Sequence, residues 1–279
     1  MTDTKKDPNY EECIVTFIDI LGFRAHLHEK TAAEIQKILE IFRWVSEPYD
    51  DSELTDSFEP RFASGVAMEV ISDAVVRART IHTEIKDGAL FQEILDLIHI
   101  QAECVNHGIL IRGALTIDYV HVGQKLQGPI FGKGLVSASQ MEKTEAIYPR
   151  IVIDDRVLDR FSHDRSLWKE DHSELQEKEF VADLLKTDEA GLSFIDYLYV
   201  TKSEVADDSS YLEFLNHHKK LIERGLSTHD SRNVRRKYIW LKNYHNSQLA
   251  QDLDNPQVDN FADELEGTLR EFLEPLIIR

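Results

Sequence analysis

At 279 residues and 42% hydrophobic content, the chain is long enough to bury a substantial core, which excludes a peptide or a disordered tail. Its 51 acidic against 32 basic residues give a formal charge of -19, which excludes a broad phosphate-tracking surface of the nucleic-acid-binding kind. A small anionic ligand fits that balance only if metal ions or a few local cations neutralise it.

Cys13 and Cys104 are too few for a disulfide framework and lack metal-ligand spacing, which points to a reducing compartment. The polar opening MTDTKKDPNYEE and the lack of any apolar run near 18 residues predict a soluble cytoplasmic protein with no membrane span.

In chain order, CIVTFIDI at 13–20 reads as a strand, with Val15, Phe17 and Asp19 on one face. Gly22 breaks it, and residues 32–45 carry helical spacing at Ile35, Ile38, Leu39, Ile41 and Phe42. A proline- and acid-rich loop is expected over 46–60. A second β region follows over 61–79, in which VAMEVISDAVV is one strand or, the preferred reading, two paired by a tight turn at Ser72-Asp73.

ALFQEILDLIHIQAECV at 89–105 predicts an amphipathic helix ended by Asn106 to Gly108. ILIRGALTIDYVHVG is the longest β-like stretch. GPIFGKG then turns into a helix over LVSASQMEKTEAI, and IVID is a short strand. This alternation predicts a mixed α/β or α+β sandwich for the core, residues 10–155. Residues 156–279 read as a mostly helical C-terminal extension packed on that core. One strand there is expected within LSFIDYLYV, then helices over YLEFLNHHKKLIERGL, VRRKYIWLKNYHNSQLA and FADELEGTLREFLEPLI.

Asp19 is the anomaly in the first strand, because burying an unpaired carboxylate is costly. The plainer reading makes it an N-cap for the helix after Gly22. Asp73 poses the same puzzle in ISDAVV, where a turn residue is the plainer reading. If the two strands are neighbours, the carboxylates converge, and adjacent anions repel unless cations lie between them. Mg²⁺ or Mn²⁺ prefers such oxygen ligands, with substrate phosphates completing the shell. The turn Leu21-Gly22-Phe23 offers backbone N–H groups for phosphate oxygens.

FIDILGF followed by ISDAVV resembles the paired metal-binding motifs of class III nucleotide cyclases, whose first motif reads Phe-x-Asp-Ile-x-Gly-Phe. With IRGALTI, GPIFGKGLVSASQMEK, YPRIVID and KYIWLKNYHN in that order, residues 13 to about 246 are similar to the bacterial pyrimidine cyclases of Pycsar anti-phage systems. The resemblance implies an α+β fold with a class III cyclase-like βααββαβ core, and a homodimer with active sites at the subunit interface. It further implies two Mn²⁺ or Mg²⁺ ions per site.

The implied reaction converts UTP or CTP, with UTP preferred, into a 3′,5′-cyclic monophosphate plus pyrophosphate. The product would be a second messenger acting on a separate effector protein. Carried over to this chain, Asp19 and Asp73 match the metal-binding and catalytic aspartates, and Ile20 the residue whose carbonyl touches a metal. Phe17, Ile20, Leu21, Gly22 and Phe23 fall in the substrate-binding turn.

Two divalent ions, two carboxylates and a triphosphate leave a net negative site, so nearby cations are expected. Arg112, assigned to catalysis, Lys133, assigned to substrate binding, and Arg150 are the candidates, each also readable as an ordinary surface charge. On the late helix, Val136 and Gln140 stand where purine cyclases carry Asn and Arg. Glu69 stands where an adenine-selecting Lys is expected, which argues against ATP. Arg61, Phe62 and Glu69 lie near enough to be considered for base reading.

GPIFGKGL lacks the spacing and the Ser/Thr of a phosphate-binding P-loop. His26 with His28, and His217 with His218, read as solvated helix faces. The rival readings are a catalytically degenerate domain that binds a nucleotide or partner, and a metal-dependent nuclease or phosphatase using the same two acids.

Overall fold

The structure, a computed structural model, describes residues 9–48, 64–228, 231–262 and 265–279. Most of the loop expected over 46–60, together with Arg61 and Phe62, lies outside the described residues. The fold is α+β, and the chain divides into two compact units. One holds residues up to Leu97 and Ile111–Ile195, the other Ile98–Leu110 and Asp196–Arg279.

The first unit starts with β1 (Glu11–Ile20), whose alternating β-branched residues bury Ile14, Ile18 and Ile20 almost completely. Each contributes roughly 2 kcal/mol of burial. Helices α1 (Phe23–Glu29) and α2 (Ala32–Ser46) follow, and α2 starts at a capping box in which Thr31 and Glu34 satisfy each other's backbone N–H.

Strands β2 (Val66–Ile71) and β3 (Ala74–Thr80) form the expected hairpin, with Ile71 paired to Ala74. Ser72, first of its two turn residues, has the positive φ of +59° that such a tight reversal requires. Helix α3 (Ala89–Asn106) and the long β4 (Ile111–His121) complete the order strand, two helices, two strands, helix, strand, which is the βααββαβ order expected of the core.

Beyond it come β5 (Phe131–Gly132), α4 (Lys133–Thr144), β6 (Ile151–Ile153), α5 (Asp155–Phe161), α6 (Glu174–Asp183), β7 (Leu185–Thr187) and β8 (Ser193–Ile195). The eight strands form one sheet in the order β2-β3-β1-β4-β6-β8-β7, with β5 on β4. All neighbours are antiparallel except β4 and β6.

Register decides which side chains meet, because directly opposed residues share a face. Cys13, Val15 and Phe17 lie with Val76, Ala78 and Ala138 of α4 on one face. Gly134 lets α4 approach so closely that a Cβ there would sit 2.8 Å from a Val15 methyl.

Thr16, Arg77 and Arg79 lie on the other face, toward α3. There Glu93 accepts from Thr16 Oγ1 and from the Nε of both arginines at 3.0 Å, and Asp96 takes a second hydrogen bond from each arginine. This buried network is paired throughout, as burial of such charge demands.

The second unit is mostly helical: α7 (Tyr197–Glu204), α8 (Asp208–Thr228), α9 (Arg232–Leu253), the short pair β9 (Phe261–Ala262) and β10 (Gly267–Thr268), and α10 (Leu269–Leu273). The strand expected in LSFIDYLYV is only Ser193–Ile195, and from Tyr197 the chain is helical. The continuous helix expected over FADELEGTLREFLEPLI is corrected: Thr268 opens a new short helix with its own capping box to Glu271, and Pro275 sits in the 3-10 turn that follows.

His218 is also corrected, from a solvated position to full burial. His245 Nε2 donates to the Leu276 carbonyl (3.1 Å), which leaves its Nδ1 to accept from Nδ1–H of His218 (3.0 Å). His218 Nε2 in turn accepts from the Tyr197 hydroxyl (2.8 Å). Both imidazoles are thereby neutral. No helix among the described residues is long and apolar enough to cross a membrane.

Candidate functional site

Asp19 is the penultimate residue of β1, and its direct partners are Ala74 on β3 and Arg112 on β4. The next residue, Ile20, donates its N–H to the carbonyl of Asp73 at 3.1 Å, which ties the end of β1 to the hairpin turn. The two aspartates are thus neighbours by backbone pairing, and the Asp73 charge acts on the Asp19 carboxyl.

Asp19 does not act as a cap. The N-cap of α1 is Gly22, in the left-handed region at φ +80°, and no side chain bonds the helix end there. Capping therefore does not explain this half-buried acid. Partial burial first, and the Asp73 charge second, push the Asp19 carboxyl above the ordinary aspartate range, while Arg112 pulls it back.

Arg112 lies beside this pair. Its Nη2 is 3.3 Å from Asp19 Oδ2 and 2.6 Å from Glu142 Oε1, and its Nη1 donates to the Ala146 carbonyl at 3.4 Å. Glu142 does not stand out in the sequence, since a glutamate on a polar-looking helix reads as solvated. A signal existed nonetheless: Gly134, Ala138 and Glu142 recur at helical spacing and form the buried stripe of α4.

The other expected residues divide. Ile20 is buried at the strand end, Leu21 and Gly22 form the turn, and Phe23 is the buried first residue of α1. Phe17 packs into the core beneath α4 instead of facing the turn. Lys133 is not brought to the group. It opens α4 next to Gly132, which pairs with Val120 at the far end of β4, roughly 13 Å along the helix axis from Glu142.

Arg150 is committed elsewhere, 2.6 Å from Asp188 and with its guanidinium over the Phe194 ring. Glu69 is also engaged, its Oε2 accepting from the Ile130 N–H at 2.7 Å. Val136 and Gln140 are exposed, Val136 by 65%.

No group of three or more His, Cys, Asp or Glu side chains among the described residues is arranged to hold a metal ion. Asp19 and Asp73 supply two hard oxygen donors, and the Asp19 carboxyl, raised first by burial and then by the Asp73 charge, is in a setting that a divalent cation relieves. A hard ion held by two carboxylates keeps waters or substrate oxygens in its remaining positions, so the donor set fits a substrate-sharing ion better than a closed structural site.

No protein-family model matches the chain, and no curated protein matches it. Among solved structures, the guanylyl cyclase domain of the RhoGC fusion protein from the aquatic fungus Blastocladiella emersonii matches 67% of this chain and 95% of its own, at 15% identity and TM-score 0.39. A bacterial light-regulated adenylyl cyclase matches 63% of this chain and 98% of its own, at 14% identity and TM-score 0.39. The functional reading rests on the site itself.

Proposed function

We propose that the chain is a nucleotide cyclase that converts UTP or CTP into a 3′,5′-cyclic monophosphate plus pyrophosphate. The observation that carries the reading is the side-by-side placement of Asp19 at the end of β1 and Asp73 in the neighbouring hairpin turn, with Asp19 freed from any capping duty. The FIDILGF and ISDAVV motifs add the resemblance to class III cyclases.

In this reading Asp19, Asp73 and the Ile20 carbonyl hold Mn²⁺ or Mg²⁺. When bound, the ions supply Lewis acidity at the phosphates and lower the pKa of the attacking hydroxyl. The turn at Leu21 and Gly22 orients the triphosphate, and Arg112 offsets negative charge beside Asp19. The ribose 3′-oxygen forms its bond to the α-phosphorus as the α–β bridging P–O bond breaks. Pyrophosphate departs, and the hydroxyl proton passes to water.

Glu69, engaged with the Ile130 N–H where an adenine-selecting lysine would be expected, argues against ATP. The exposed face of α4 at Val136 and Gln140 supports a homodimer whose sites are completed across the interface. The cyclic product would serve anti-phage signalling through a separate effector in the cytoplasm.

The test is incubation of the purified protein with ATP, GTP, CTP and UTP plus Mn²⁺, with products resolved by mass. A cyclic monophosphate from UTP or CTP alone is expected. Monophosphate or orthophosphate would make the chain a hydrolase. The absence of turnover alongside metal-dependent nucleotide binding would make it a degenerate binding module, the reading that Val136 and Gln140 favour.

A further inference from the structure

Arg112 is held by more than the residue it faces, and we propose that Glu142 is a positioning residue that keeps the Arg112 guanidinium from closing over Asp19. The inference rests on the proposed metal-binding role of Asp19 and Asp73.

One nitrogen, Nη2, lies between two carboxylates: it donates to Asp19 Oδ2 at 3.3 Å and makes a closer ion-pair contact, off the hydrogen-bond direction, with Glu142 Oε1 at 2.6 Å. The second nitrogen, Nη1, donates to the carbonyl of Ala146, two residues past the end of α4. Two of the three oxygens around the guanidinium therefore come from α4 and the residues just past its end.

Burial ranks the partners. The Glu142 side chain is 2% exposed against 21% for Asp19, so Glu142 has no water to replace Arg112, whereas Asp19 does. Attraction in the drier surroundings of Glu142 is also the stronger. Arg112 thus stays with α4 when Asp19 turns toward a cation, and it remains a fixed positive charge at the margin of the site.

Without the Glu142 charge, the nearest anion for Arg112 is Asp19. The guanidinium then becomes a tethered competitor for the carboxylate that a divalent ion needs. Glu142 would not touch substrate or metal; it acts through Arg112.

The experiment is Mn²⁺ binding to the full chain without nucleotide, read by electron paramagnetic resonance of the free ion. Wild type is compared with Glu142→Gln, Arg112→Gln and the double variant, and thermal unfolding checks that each is folded. Glu142→Gln should weaken Mn²⁺ binding about fivefold to tenfold, and the same change in the Arg112→Gln background should have no effect.

Should Glu142→Gln fail to fold, Glu142→Asp, which keeps the charge but withdraws it by one methylene, should give a smaller loss that also vanishes without Arg112. Unchanged affinity in the single variant would overturn the proposal, as would an equal drop in both backgrounds, the mark of a simple field effect. A wild-type chain that binds no Mn²⁺ would instead overturn the metal reading beneath it, a result the variants cannot mimic.

Discussion

Asp19 and Arg112 are direct register partners on β1 and β4, with Oδ2 of the one 3.3 Å from Nη2 of the other. On the other side of β1, Asp19 meets the hairpin turn that carries Asp73. The strand end therefore presents an anionic pair with Arg112 beside it, and Arg112 is shared with Glu142. Such an arrangement is poorly compensated for a structural ion pair and well suited to receiving further positive charge.

Asp73→Ala should abolish turnover, by at least about 10²-fold, because no remaining side chain replaces its oxygen ligands. The residue sits half-exposed in a turn, so stability should change by no more than about 0.5 kcal/mol. Product formation and urea unfolding of the same preparation check both halves. Near-wild-type turnover would remove Asp73 from the chemistry.

Gly22→Ala should cost about 1 kcal/mol of stability, because φ is +80° there and an L-residue is strained in that region. A Cβ at this position meets nothing within 4 Å, so the cost is one of backbone and not of space. If the turn carries the triphosphate, KM for the nucleotide should rise as well. The unfolding midpoint and the KM of the variant test the two effects separately.

Glu93→Ala should destabilise the first unit by about 3–5 kcal/mol, since it leaves the buried Arg77 and Arg79 sharing Asp96 as their one remaining anion among the described residues. Glu93→Gln, which keeps some of the hydrogen bonds, should cost less. Denaturant midpoints for the pair would show the order, and a loss under about 1 kcal/mol for the alanine variant would mean that the network is not needed.

The buried histidine pair sets a pH dependence for the second unit. Burial holds His218 well below the usual imidazole range and lowers His245 to about 4. The folded state then binds fewer protons than the unfolded chain below pH 6.5. Stability is accordingly full above that value and falls as pH drops toward about 4, by on the order of 3 kcal/mol from His245 alone. Unfolding midpoints between pH 7 and pH 4.5 should decline in wild type and decline less in His218→Gln.

Much of this site could be read from residues close in sequence. FIDILGF encodes its strand, turn and acid within seven positions, and the hairpin follows from β-branched runs on either side of Ser72-Asp73. Contacts set by tertiary approach were not legible in the same way. Glu142 reads as solvent-facing until α4 is seen pressed onto β1 and β4 by Gly134. His217 and His218 are adjacent letters, yet the helix turns only the second inward. FADELEG has helical composition, but Thr268 with Glu271 begins a new helix. Lys133 and Arg150 stand out in sequence by charge alone, and their positions depend on the direction of α4 and on Asp188.

The most direct test of the central claim is anomalous scattering at the manganese edge from crystals of the protein soaked with Mn²⁺ and a non-reactive UTP analogue. The account predicts a peak in contact with the carboxylates of both Asp19 and Asp73, adjacent to the analogue's phosphates. Analogue bound with no manganese at that pair, or manganese held elsewhere, would contradict it.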